Sequence, residues 1–210
     1  MVGDVGDIVS VDGGTPPYVV VGFFTPNYRP LAQNLARDLA ETGNPYHLIA
    51  REKGSATWRN VVHWKPEIVL EAMDLYPQSS IILLDADSSV RGSLAPALDF
   101  TGDISARAKL RLTNHIWPFR QKTVLHISSR SMVFRPNERV RKFLADWRDE
   151  LRTAPYHQGG CEMAMRFVIM RSIGLAFCPM DPRYSGLEVD QAPGDAVVVH
   201  SSASRTAGRN

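Results

Sequence analysis

The stretch Ile81-Ile-Leu-Leu84-Asp85-Ala86-Asp87 decides how this chain is read. Four consecutive apolar residues leave no polar face, so the segment reads as a short strand buried on both sides. Two carboxylates follow it directly, with one residue between them. In extended backbone, residues i and i+2 point the same way, so Asp85 and Asp87 can face one ligand. Like charges this close repel unless a cation lies between them, and hard oxygen ligands suit Mg²⁺ or Mn²⁺. Asp-x-Asp alone is also an ordinary polar turn. The buried strand in front of it places these acids at the ligand end of a sheet.

Outward from this stretch the same pattern recurs. Tyr18-Val-Val-Val-Gly-Phe-Phe24 is another continuous apolar run, and Tyr46-His-Leu-Ile-Ala50 is a further strand. Between them, Pro30 suits the first turn of a helix, and Leu31, Leu35 and Leu39 recur at helical spacing until Gly43. Pro66 opens a helix with Val69, Met73 and Tyr76 on one face, and Pro77 ends it. Asp103 to Arg107 reads as a short strand, and Thr123 to Phe134 as one or two strands around Ser128-Ser-Arg-Ser131. Asn137 is an N-cap for a helix carrying Val140, Phe143, Leu144, Trp147 and Leu151. A helix over roughly 160–173 ends at Gly174, and Leu175 to Met180 and Ala196 to Val199 read as late strands. Alternating strand and helix predicts an α/β fold, with a mostly parallel central sheet and helices on both faces. Ligands of such sheets sit beyond the carboxyl ends of the strands. That rule singles out Thr25 to Tyr28, Asp85 to Asp87, and His200.

Composition narrows the classes. A chain of 210 residues, 44% of them hydrophobic, suits one domain. It reads as a flexible leader over 1–16, a domain over 17–206 and a tail over 207–210. Lys and Arg number 24 against 22 acids, which excludes the basic excess of a nucleic-acid binder. The Arg-rich part between 130 and 152 is interleaved with Asp and Glu, as on a solvated helix face. No apolar run approaches the ~18 residues of a membrane span. The N-terminus carries acids where a signal peptide needs positive charge. Cys161 and Cys178 fit no CxxC pattern and read as reduced thiols of a cytoplasmic protein.

Other residues join the aspartates as candidates. His200 ends an apolar strand, where an imidazole can complete a metal shell or simply be a surface-edge histidine. A shell of carboxylates and imidazole favours Mn²⁺ over Mg²⁺. Arg205 is either a tail charge or a forked donor to phosphate. Lys65 opens a helix, where the dipole disfavours a cation. That placement hints at an anionic partner, and a solvated lysine is the alternative. Tyr28 offers a face for stacking a base, or a packing surface. Glu162 follows Gly159-Gly160 and opens a helix, where an acid is favourable in its own right.

In order, the chain shows Phe24-Thr-Pro-Asn-Tyr28, Trp58, Lys65-Pro66, Asp85-Ala-Asp87-Ser88, Asp103-Ile104 and Met132-Val-Phe134. Trp147, Glu162, Asp181-Pro-Arg-Tyr184 and His200-Ser-Ser-Ala-Ser-Arg205 follow. This ordered set, spanning 18–205, resembles the GT-A glycosyltransferases, in particular the nucleotide-diphospho-sugar transferase and glycogenin-like group. The resemblance implies the GT-A fold and a hexosyl-type transfer from a UDP- or GDP-sugar. The acceptor would be a hydroxyl of a glycan, a lipid-linked glycan or a small molecule. It implies Mn²⁺ (or Mg²⁺) held by Asp85, Asp87 and His200, with Asp87 catalytic through the metal. Phe24, Thr25 and Tyr28 would lie near the base. Arg59, Lys65, Asp85, Ala86, Asp103 and Arg205 would complete the donor site. Glu162 would be the base if the anomer inverts. Under retention, which the glycogenin-like resemblance favours, it would position the sugar or acceptor.

Two places depart from the pattern. Ser129-Arg130-Ser131 stands where relatives show Ser-Gly-Thr/Val, and Cys161-Glu162 where they often show Asp-Gln. In that group both places shape the sugar and acceptor sites, so the resemblance implies an acceptor site of this chain's own. A sugar-phosphate nucleotidyltransferase is the competing enzyme class. Those enzymes open with a Gly-rich loop after the first strand, where this chain has Thr-Pro-Asn-Tyr. A non-catalytic nucleotide-sugar-binding protein is the third reading. The joint presence of both aspartates, His200 and Arg205 speaks against it.

Overall fold

The all-apolar runs lie side by side. In the computed structural model, β2 (Tyr18–Phe24) pairs in parallel with β4 (Ser80–Leu84) on one side and with β3 (Tyr46–Ala50) on the other. The structure describes residues 6–11, 14–114, 121–153 and 160–201, with backbone alone at 58–59, 111–114 and 121–123. Gly22 sits beside the last residue of β4: a Cβ there would lie 2.7 Å from the Leu84 carbonyl oxygen. Any side chain would push the strands apart just where Asp85 leaves the sheet.

Alternate residues of β4 point to opposite layers. Ile81 and Leu83 pack with Val69 and Met73 of α3 (Lys65–Leu75), Phe143 and Trp147 of α4 (Glu138–Thr153), and Met165 of α5 (Gly160–Arg171). Ile82 and Leu84 pack with Leu35 and Leu39 of α1 (Arg29–Glu41). Each such fully buried side chain contributes about 1.5–3 kcal/mol. Helices therefore cover both faces, as the apolar runs require. Asn137 caps α4, its Oδ1 accepting from Val140 N at 3.0 Å.

The seven-stranded sheet runs β1-β3-β2-β4-β7-β6-β8, with β6 at Ile104–Asn114, β7 at Gln121–Phe134 and β8 at Phe177–Pro179. It is mixed, where a mostly parallel sheet was expected. β4 with β7 and β7 with β6 are antiparallel, because the second half of the chain supplies a long hairpin in place of a crossover. The segment expected to be a loose leader also contributes a strand. β1 (Ile8–Val9) pairs antiparallel with β3, and Asp7 Oδ2 lies 2.8 Å from His47 Nε2. Without β1, the outer edge of β3 would stand unpaired.

Among the described residues, some short helices and strands escaped the sequence reading. They include α2 (Trp58–Val62), β5 (Ser88–Val90) and β9 (Leu187–Glu188). β5 and β9 flank β10 (Val198–His200) in a second, three-stranded sheet. The segment around Ser128–Ser131 is one strand with a bulge. β6 advances from Ala106 to Ala108 while the partner residue on β7 moves from Met132 to Ile127. Bulges of this kind re-aim side chains beside sites. Among the described residues, no helix is long and apolar enough to cross a membrane.

Candidate metal centre

At the end of β4 the chain turns, with Ser88 N donating to Asp85 O at 3.0 Å. Asp85 N donates to Arg130 O at 3.1 Å, so the β7 bulge aims the chain as it leaves the sheet. The turn delivers β5, which pairs antiparallel with β10 and sets His200 opposite Ser88. His200 Nε2 then lies 2.9 Å from Asp87 Oδ1 and 3.5 Å from Asp85 Oδ2. Ser201 N and Oγ both donate to Asp87 O, at 3.0 and 2.9 Å. One ligand atom from each of Asp85, Asp87 and His200 lies within 4.8 Å of the others. Asp87 and His200 are buried and Asp85 is half-buried. Burial alone would lower the His200 pKa, but hydrogen bonds to Asp85 and Asp87 outweigh it and hold the imidazole above its ordinary value.

Lys65 meets its anion inside the protein. It is only 4% exposed. Its Nζ lies 2.6 Å from Asp85 Oδ1 and donates to Ser129 O at 2.9 Å and Ser129 Oγ at 3.2 Å. An ammonium has three N–H donors, and these contacts use all of them. Lys65 therefore does not reach out to a phosphate, as the resemblance implied; it holds Asp85. Burial alone would push both pKa values toward neutrality. The opposite charges prevail, so Lys65 stays above its ordinary value and, with help from His200, Asp85 stays below its own.

Tyr28 ends the short turn Pro26–Tyr28 after β2 and is half-buried. Burial and then the charges of Asp87 and Asp85 raise its phenol pKa. Thr25 is buried and donates from Oγ1 to Asn27 Oδ1 at 2.6 Å. Phe24 is a correction: at 1% exposure it packs in the core against α1 and has no face left for a base. Ala86 is buried between the aspartates. Only the backbone of Arg59 is described, in α2, and Arg205 lies outside the described residues.

Asp103 is a second correction. Ile104 pairs with Phe134, which also faces Ile81, so Asp103 lies at the end of the sheet where β4 begins. Asp85 lies where β4 ends. The Asp103 carboxylate accepts from Arg139 Nε and Nη2 at 2.9 and 2.8 Å, Asn137 Nδ2 at 2.9 Å and Ala176 N at 2.9 Å. It ties α4 and the approach to β8 to the sheet. The Arg139 hydrogen bonds, with those from Ala176 and Asn137, push its pKa down to about 2 from 3.8 despite burial. Asp103→Asn is expected to cost about 2 kcal/mol near neutrality. Because the folded pKa is depressed, that stabilisation is full above about 3.8 and lost as pH falls through about 2. Urea melts of both proteins at pH 7 and pH 2 should differ at the first and converge at the second.

Glu162, in the first turn of α5, is joined to the metal-facing residues through the bulge. Its Oε1 accepts from Ser128 Oγ and Ser129 N, both at 3.1 Å, and Ser129 in turn holds Lys65. His126 Nε2 lies 3.2 Å from Glu162 Oε2. Burial would raise the Glu162 pKa, but His126 and the Ser129 amide prevail and hold it below its ordinary value. Sequence reasoning passed over His126 and named Ser129 only within Ser129-Arg130-Ser131, as a place that shapes the sugar and acceptor sites. The only signal for His126 was its place just before that serine-rich run. Burial pushes the neighbouring Cys161 thiol up, which leaves it unreactive.

No protein-family model matches the chain, and no curated protein matches it by sequence. Solved structures do match. A glycosyltransferase involved in the glycosylation of the major capsid of PBCV-1 superposes with a TM-score of 0.68. The match covers 92% of this chain and 97% of that one, at 15% identity. The glycosyltransferase GlyE of Streptococcus pneumoniae gives 0.54 at 10% identity, over 87% of this chain and 54% of that one. The galactosyltransferase LgtC, solved with donor and acceptor sugar analogues, gives 0.50 at 11% identity. That match covers 88% of this chain and 87% of LgtC. Sequences this far apart share architecture, and the architecture of this chain is the GT-A glycosyltransferase fold.

Proposed function

We propose that this chain is a metal-dependent glycosyltransferase that moves a hexose from a nucleotide-diphosphate donor, a UDP- or GDP-sugar, to a hydroxyl acceptor. The observation that carries this reading is the convergence of Asp85, Asp87 and His200 at the carboxyl end of β4. Two carboxylates beside one imidazole nitrogen fit a divalent ion, and the mixed donor set favours Mn²⁺ over Mg²⁺. When bound, such an ion offsets the charge that develops on a diphosphate leaving group.

The chain's own residues divide the remaining work. Lys65 holds Asp85 Oδ1, and Ser201 holds Asp87 through its main chain, so both acids are pre-set for the donor. Tyr28 offers its ring at the rim for the base. The acceptor hydroxyl attacks the anomeric carbon as the bond to the β-phosphate oxygen breaks. Glu162, held ionised by its neighbours, hydrogen-bonds a sugar or acceptor hydroxyl. A carboxylate held below its ordinary pKa is a weak proton acceptor. The glycogenin-like resemblance supports a retaining transfer, in which the departing phosphate takes the proton. The catalytic domain takes in β1 as well as 17–206, since Ile8–Val9 extends its central sheet. The free cysteines fit a reducing compartment, which supports the cytoplasm as its location.

Thermal melting with Mn²⁺ and UDP, GDP or CDP tests the reading. The midpoint should rise only when the ion and the matching nucleotide are combined. At a hundred times Kd the gain is about 2.7 kcal/mol. No rise with any combination would remove the donor site.

A further inference from the structure

We propose that His126 is a positioning residue that sets the direction of the Glu162 carboxylate, an inference that rests on the transferase reading. His126 Nε2 lies 3.2 Å from Glu162 Oε2. The other oxygen, Oε1, accepts from Ser128 Oγ and Ser129 N, each at 3.1 Å. One short run of β7, from His126 to Ser129, therefore holds both oxygens.

That run lies where β7 leaves regular pairing. His126 still faces Lys109, and Ile127 faces Ala108; pairing with β6 resumes only at Met132. The bulge frees the Ser129 amide from the ladder and lets it serve Glu162, while the Ser129 carbonyl serves Lys65. A glutamate in the first turn of a helix has three free torsions and several open rotamers. The helix dipole favours an acid there in any rotamer. His126 is the group that selects the direction of Oε2.

The state of the ring agrees with a donor role. His126 Nδ1 is buried and has no hydrogen-bond partner among the described residues. Unpaired buried acceptors are met more often than unpaired buried N–H groups. The ring proton then belongs on Nε2, the nitrogen that faces Glu162.

Kinetics and side-chain NMR test this together. His126→Leu keeps bulk and removes the donor; its kcat for transfer should fall about 10²-fold, as expected for a misaligned group. Mn²⁺-dependent nucleotide affinity should stay within about two-fold, since neither His126 nor Glu162 is a metal ligand and Glu162 reaches Asp85 only through Ser129 and Lys65. His126→Gln, whose amide nitrogen can reach the same oxygen, should recover most of the rate. Parental turnover in His126→Leu would overturn the proposal. So would a rate loss that His126→Gln does not restore and that tracks a lowered melting midpoint, because that pattern marks packing alone. The second arm needs no activity. In ¹⁵N-histidine spectra, His126 should carry its proton on Nε2, and Glu162→Gln should shift that resonance. An unmoved resonance would dissolve the pair itself. A shift in a protein that binds no nucleotide would overturn the transferase reading, and with it the positioning role, while leaving the pair in place.

Discussion

Asp87→Ala is expected to abolish metal-dependent nucleotide binding, with affinity falling by more than about 10²-fold, beyond what loss of a metal site's supporting contacts costs. The side chain faces His200 Nε2 at 2.9 Å and belongs to the one group of acids and imidazole, among the described residues, that can close on a cation. The fold should survive. The main-chain oxygen of residue 87 still accepts from Ser201, and His200 keeps Asp85 at 3.5 Å. Removing one of two neighbouring carboxylates also relieves like-charge repulsion. Calorimetric titration of Mn²⁺ and nucleotide into the variant decides the matter, beside a melt without metal. Unchanged affinity would end the metal-site reading, whatever the melt shows.

Lys65→Met is expected to have the largest effect on stability. It preserves length and bulk and deletes the charge that holds Asp85 Oδ1 at 2.6 Å. Breaking a buried pair from one side costs about 3–5 kcal/mol, because the remaining charge is stranded. The Asp85 side chain is 23% exposed and retains His200, so the lower end applies. About 3 kcal/mol should lower the melting midpoint by about 6–12 °C for a chain of this size. A double-mutant cycle with Asp85→Asn separates the pair from packing. The double variant should be less destabilised than Lys65→Met alone, since no charge is left stranded. Equal losses in both would mean that what Lys65 contributes does not run through the Asp85 charge.

The fold and the site were legible in the sequence to different depths. The runs Tyr18–Phe24 and Ile81–Leu84, the spacing of Leu31, Leu35 and Leu39, and the Asn137 cap are local properties. Backbone preference and burial period act over a few residues, so these segments declare their form without their neighbours. That Asp85 and Asp87 share a face follows from the pleat alone. The approach of His200 was inferred only from its place at another strand end. Its actual partner is Ser88 in β5, a three-residue strand with no period of its own to read.

Other assignments depended on contacts that no local pattern carries. Phe24 lies in a strand apolar on both faces, so nothing nearby in sequence says that its ring turns toward α1 and away from a ligand. Lys65 at a helix start announced an anion, but whether that anion was a phosphate or Asp85 depended on how α3 meets the end of β4. Asp103 follows the same logic: an acid before a strand is a ligand at one end of a sheet and a structural clamp at the other. The end is chosen by the antiparallel register of β6 on β7, set by the hairpin. The sequence by itself determined the longer elements, the buried strand and the paired acids, because these rest on short-range periodicity. Only the tertiary structure decided which charges face the donor and which face each other, because a charge takes its role from partners brought near by strand pairing far along the chain.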